Sequence, residues 1–139
     1  MKFCYVGKDG GPDSTVWGFW PIEIKSLFSV ALLCFEDGSR DAFHTHAFNS
    51  ISWLLKGRLV EHVKEGSTDQ LREYFVEHVP SLWPIITKRV PMHKVSSNGR
   101  SWVITFRGPW VNHWWEYLPK TGIWTRLTHG RKEIGSIPS

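Results

Sequence analysis

Two histidines one residue apart, His44 and His46, sit in the run Gly38-Ser39-Arg40-Asp41-Ala42-Phe43-His44-Thr45-His46-Ala47-Phe48-Asn49-Ser50. Alternate side chains of a β-strand share a face, so a His-x-His pair on a strand aims two imidazoles into one space. That makes half of a transition-metal site. Imidazole nitrogen suits zinc, iron, copper and nickel alike, so the pair points to a metal without naming it.

The elements that position this pair read as strands. Ile22 to Phe35 is rich in β-branched and aromatic residues and predicts one or two strands. Phe43 to Leu55 predicts a single strand carrying both histidines, Lys56-Gly57-Arg58 a tight connection, and Leu59 to Val63 the returning strand. On that strand Phe48, Ser50, Ser52 and Leu54 share the face of His44 and His46. Phe43, Thr45, Ala47, Asn49, Ile51, Trp53 and Leu55 take the other face. Leu71 to Val79 fits a strand, with a short helix as competitor. Ile85 to Val90 and Met92 to Val95 read as short strands. Ser96 to Arg100 reads as a hairpin turn around Asn98-Gly99, Ser101 to Arg107 as a strong strand, and Val111 to Tyr117 and Ile123 to Leu127 as a last pair. The tail, residues 128–139, is polar and expected to be mobile. Short strands broken by turns, with little helix, predict an all-β sandwich or barrel in one domain over 1–139, its core at about residues 22–127.

Composition sets the outer bounds. The chain has 139 residues, 41% hydrophobic and 22% charged, with nine Trp and eight Phe. That is ordinary for a folded domain, and it argues against disorder. The formal charge of +4 permits nucleic-acid binding but does not demand it. Cys4 and Cys34 are far apart and form no disulfide framework. No signal peptide or membrane-length apolar run is visible, so the expectation is a cytoplasmic protein with reduced cysteines. No P-loop, dinucleotide fingerprint or nucleophile-elbow motif is present.

Gly38, five residues, His44-Thr45-His46, three residues, Ser50, six residues and Gly57 together resemble the first motif of the cupin superfamily. Ser50 stands where that motif carries glutamate. His93, ahead of the turn at Ser97-Asn98-Gly99, resembles the histidine that ends the second motif, although the proline and glycine of that motif are out of register. Trp102 to Pro109 and the Trp-rich stretch after it are similar to small cupin-like proteins often carried by bacteriophages. The resemblance implies a double-stranded β-helix, the jelly-roll barrel of cupins. It also implies one divalent ion on His44, His46 and His93, the neutral three-histidine set of the thiol dioxygenases. Fe2+ is favoured, with Zn2+, Ni2+ or Mn2+ as alternatives.

The remaining candidates are weighed beside that set. Ser50, Ser52 and Phe48 are expected to line the cavity. So is Glu61 or His62, either of which can substitute for a missing ligand or act as acid or base. Arg107 reads first as an exposed strand-end residue, and alternatively as a two-pronged clamp for a carboxylate or phosphate. Tyr117 can offer a phenol, with packing as the commoner role. His78 and His129 are expected in solvent. Trp110, Trp114, Trp115 and Trp124 suit a core, an interface or a stacking platform, and Trp17 and Trp20 suit a homodimer interface. Three functions follow: a small-molecule dioxygenase or other oxidoreductase; a non-catalytic cupin that captures a small anion such as a nucleotide or sugar; and an isomerase or epimerase using Tyr117 with a histidine.

Overall fold

The computed structural model describes residues 1–39, 42–67, 70–128 and 132–138. Among these residues there is no helix, and so none long and apolar enough to cross a membrane. The strands are β1 (Lys2–Lys8), β2 (Val16–Ile24), β3 (Phe28–Phe35), β4 (Phe43–His44), β5 (Ser50–Lys56), β6 (Leu59–Ser67), β7 (Gln70–His78), β8 (Ile85–Thr87), β9 (Met92–Ser97), β10 (Ser101–Arg107), β11 (His113–Leu118), β12 (Ile123–Thr128) and β13 (Lys132–Pro138). They form two antiparallel sheets, in the orders β1-β2-β3-β10-β5-β8 and β13-β12-β11-β4-β9-β6-β7. The all-β jelly-roll expected from the sequence is the fold observed.

Alternation explains the first sheet. Ser101, Val103, Thr105 and Arg107 of β10 are buried, as are Ser50, Ser52 and Leu54 of β5, while Ile51 and Phe106 are exposed. One apolar cluster (Trp20, Ala31, Leu33, Leu54, Leu59 and Val103) joins the two sheets. A second unites Ala47, Phe48, Trp114 and Leu127. Between them the inward positions carry small hydroxyls. Ser52 Oγ donates to Thr105 Oγ1 at 2.8 Å, which satisfies both groups while leaving space that larger apolar side chains would fill.

Several expectations change. The run Phe43–Leu55 is not one strand: β4 ends at His44, β5 begins at Ser50, and the two lie in different sheets. Strand alternation therefore fails across residues 45–49, and Ala47, expected on the outer face, is buried against Trp114. The turns at Lys56-Gly57-Arg58 and Ser97–Arg100 join no hairpins; each crosses from one sheet to the other. Leu71–Val79 is strand β7, not helix. β1 and the start of β2 precede the expected core, and Trp20 is core rather than interface, at 2% exposure. Lys132–Pro138, expected as a mobile tail, pairs with β12 as β13. His129 lies outside the described residues.

The two crossovers are locked together. Gly57 has φ of 104°, which disfavours any side chain. A Cβ there would lie 2.2 Å from Ser101 Oγ and 2.7 Å from Ser101 Cα. Ser101 Oγ meanwhile accepts from the Arg58 amide at 3.0 Å and contacts Ser97 Oγ at 2.7 Å. Gly57→Ala should therefore destabilise the fold by about 3 kcal/mol, from backbone strain plus overpacking. The check is the urea midpoint, and an unchanged midpoint would remove this account of the turn.

Candidate metal centre

His44, His46 and His93 converge although only His44 and His93 lie in strands. β4 pairs with β9 through a single register pair, His44↔His93, and residues directly opposite one another share a face. His46 lies beyond the end of β4 and is pinned by its main chain. Its amide donates to the Arg89 carbonyl at 3.0 Å, and the preceding Thr45 amide donates to the Trp115 carbonyl at 2.9 Å. One potential ligand nitrogen from each of the three histidines lies within 4.8 Å of the others. The ring centroids are 4.5 to 5.0 Å apart, with interplanar angles of 73° to 74°, so the rings meet edge to face around one point.

Glu61 fixes the chemistry of His93. Its carboxylate accepts from His93 Nδ1 on one oxygen and lies 3.1 Å from His78 Nε2 on the other. Burial pushes this carboxyl up, but its hydrogen bonds and electrostatic interactions with His78 and His93 hold it down at about 2. With Nδ1–H committed to Glu61, the lone pair of His93 is on Nε2, which lies 3.1 Å from His46 Nε2. Two imidazole nitrogens at that distance share a proton or bracket a cation. Ligand nitrogens at about 2.0–2.1 Å from one metal ion are roughly 3 Å apart when adjacent. Desolvation holds His46 well below the ordinary histidine range, and the nearby His93, His44 and Arg107 push the same way. The donor set is thus oriented and spaced for a divalent ion.

These groups line a cavity of about 230 Å³ between the sheets. Phe48, Ser50, Ser52 and Glu61 line it. His62 does not. It is on the outer face of β6, bonded to Glu73 and stacked on Phe75 at 4.2 Å, because strand alternation turns it away when Glu61 turns in. Tyr117 is also outside the cavity, paired with Phe43 in register and in tilted ring contact with Trp124 at 4.8 Å. His78, expected in solvent, borders the cavity beside Glu61. Arg107, first read as exposed, is 6% exposed and borders the cavity. The thiol of Cys34 is pushed up by burial and by Glu36, opposite to what a nucleophile needs.

Two acidic residues were not foreseen. Glu116 is opposite His44 in the β4–β11 register and is 8% exposed. Asp9 reaches the cavity from the loop between β1 and β2 and pairs with Arg107. Nothing in the sequence separates Asp9 from an ordinary turn aspartate. The inward position of Glu116 follows only once β11 is paired with β4.

No protein-family model and no curated protein matches the sequence. Among solved structures, a sugar phosphate isomerase of the cupin superfamily from Silicibacter pomeroyi superimposes with a TM-score of 0.55 at 11% identity, over 90% of this chain and 77% of that one. The chain has the cupin fold. A cupin superfamily protein from Desulfitobacterium hafniense gives 0.53 at 13% identity, over 73% of this chain and 84% of the other. An iron(II) form of HppE gives 0.52 at 16% identity, over 74% of this chain and 55% of its own.

Glu61→Ala should weaken divalent-metal affinity about 10–100-fold, as removal of a group that orients a ligand does. Glu61→Gln, which keeps an acceptor for His93 Nδ1, should lose less. Calorimetric titration with Zn2+ or anaerobic Fe2+ checks this; equal affinities for wild type and Glu61→Ala would remove Glu61 from the site.

Proposed function

We propose that this cupin is a metal-dependent protein of small-molecule chemistry, with iron(II) on His44, His46 and His93 and oxidation of a small substrate by O2 as the reaction class. The observation that carries the reading is the convergence of three oriented imidazoles on one point in the cavity wall. A bound iron(II) ion would supply one-electron redox chemistry and open positions for substrate and oxygen. Iron as the choice is supported by the shared fold with iron(II) HppE and by the lack of a carboxylate at Ser50.

The residues around the centre have separable duties. Glu61 holds the His93 tautomer, and His78 backs Glu61. Phe48, Trp110 and Trp114 exclude water on one side of the cavity. Ser50, Ser52 and Thr105 keep the opposite wall short. The volume is below the roughly 300–1,000 Å³ of sites for drug-sized ligands, which supports a small substrate. The free cysteines support a reducing compartment such as the cytoplasm. The exposed Trp17, Phe19, Ile51 and Phe106 on the outside of the first sheet support self-association.

Capture of a small anion without turnover is the second reading, favoured by the buried cation Arg107 at the cavity wall. The isomerase reading loses its named pair, since Tyr117 lies outside the cavity.

Protein purified without a metal-affinity tag should contain about one ion per chain, and His44→Ala and His93→Ala should each lose it while keeping the wild-type circular dichroism spectrum. Iron-loaded protein should consume O2 with a small organic substrate. No metal at any occupancy in a folded wild-type protein would overturn the proposal. Metal without O2 uptake across a substrate panel would move the assignment to capture.

A further inference from the structure

Arg107 is an unusual group for a cavity wall. It is 6% exposed, and its Nε is buried with no hydrogen-bond partner. Its two terminal nitrogens are gripped in two-pronged fashion by Asp9, Nη1 to Oδ1 at 3.2 Å and Nη2 to Oδ2 at 2.5 Å. Asp9 belongs to no strand. It is on the loop between β1 and β2 with Gly10 and Gly11, both at positive φ, and Asp9, Gly10 and Ser14 all border the cavity. Main-chain bonds fix the loop: the Asp9 amide to the Val16 carbonyl at 2.9 Å and the Ser14 amide to the Gly11 carbonyl at 3.1 Å. The Asp9 side chain, at 28% exposure, can therefore leave by rotation about its own bonds.

The position of Arg107 ties it to the metal centre. The guanidinium is 4.5 Å from the Phe48 ring centroid, which is 5.6 Å from that of His46. Ser50 is opposite Arg107 in the β5–β10 register, so the wall beside the guanidinium is short.

We infer that Arg107 is the anion-binding residue of the cavity, and that Asp9 is an internal carboxylate holding its place until the carboxylate of a small-molecule ligand displaces it. The planar two-pronged grip on Asp9 is the geometry that guanidinium makes with any carboxylate. An incoming carboxylate replaces it without leaving a buried cation bare, which is the costly alternative. The inference deepens the proposed function by naming the substrate class. It rests on the cavity being a small-molecule site and not on which metal is bound.

The test is binding of succinate, and separately of inorganic phosphate, to metal-loaded protein at fixed ionic strength, followed by calorimetry and by the 15N resonance of Arg107 Nε. Succinate should bind wild type weakly, bind Asp9→Asn at least fivefold more tightly, and fail to bind Arg107→Met. Unchanged or weaker succinate binding by folded Asp9→Asn would overturn the displacement. Tightening for phosphate but not succinate would overturn the carboxylate assignment. Should Arg107→Met not fold, the Arg107 resonance decides: it must shift on succinate addition in wild type, and a static resonance overturns the inference. Metal content is measured on the same samples, so loss of the metal reading is distinguishable from loss of this one.

Discussion

Everything at the centre of this molecule hangs on a strand two residues long. Phe43 and His44 are the whole of β4, yet they bridge β11 on one side and β9 on the other. Strand alternation gives their side chains opposite tasks. His44 enters the cavity. Phe43, 2% exposed, lies on the far face beneath Lys64 and Lys94 and against His62. The buried ring anchors the strand, and the anchored strand places the imidazole. A one-residue slip would exchange the two, putting a phenyl ring among the ligands and a histidine under the lysines.

Around that strand the cavity collects more basic groups than acidic ones, and two carboxylates answer them. Glu61 answers His93 and His78; Asp9 answers Arg107. Buried ions are tolerated only when paired in good geometry, so these two carboxylates hold the orientation of the basic groups they face. Both come from outside the His-x-His segment, one from β6 and one from the β1–β2 loop. The charged groups of the cavity are thereby assembled from well-separated parts of the chain.

Much of this was legible in the residues, for identifiable reasons. His44 and His46 were recognisable from the spacing of Gly38 and Gly57, and Gly57 proves to be demanded by contact with Ser101. His93 was readable from its place before a turn. Period-two alternation suggested that Ser50 and Ser52 share the face of the histidines and that either Glu61 or His62 turns inward, but it left Arg107 read as exposed. What failed was anything dependent on which strand meets which. The break between β4 and β5 has no Pro or Gly to mark it. His78 and Glu116 acquire meaning only through register, and Asp9 only through a long-range pairing. The strand β13 is held by main-chain hydrogen bonds to β12, which a polar composition does not advertise.

The Gly57–Ser101 contact has a consequence for how the molecule comes together. It fastens the crossover between β5 and β6 to the crossover between β9 and β10, two places more than forty residues apart along the chain. Neither turn can reach its final shape until the other arrives, since Ser101 Oγ supplies the partner for the Arg58 amide and the Asn98 amide donates to the Arg58 carbonyl. The loop-closure entropy is spent before the contact rewards it. The end of the barrel is therefore closed by two crossovers that hold one another's shape rather than by either turn alone.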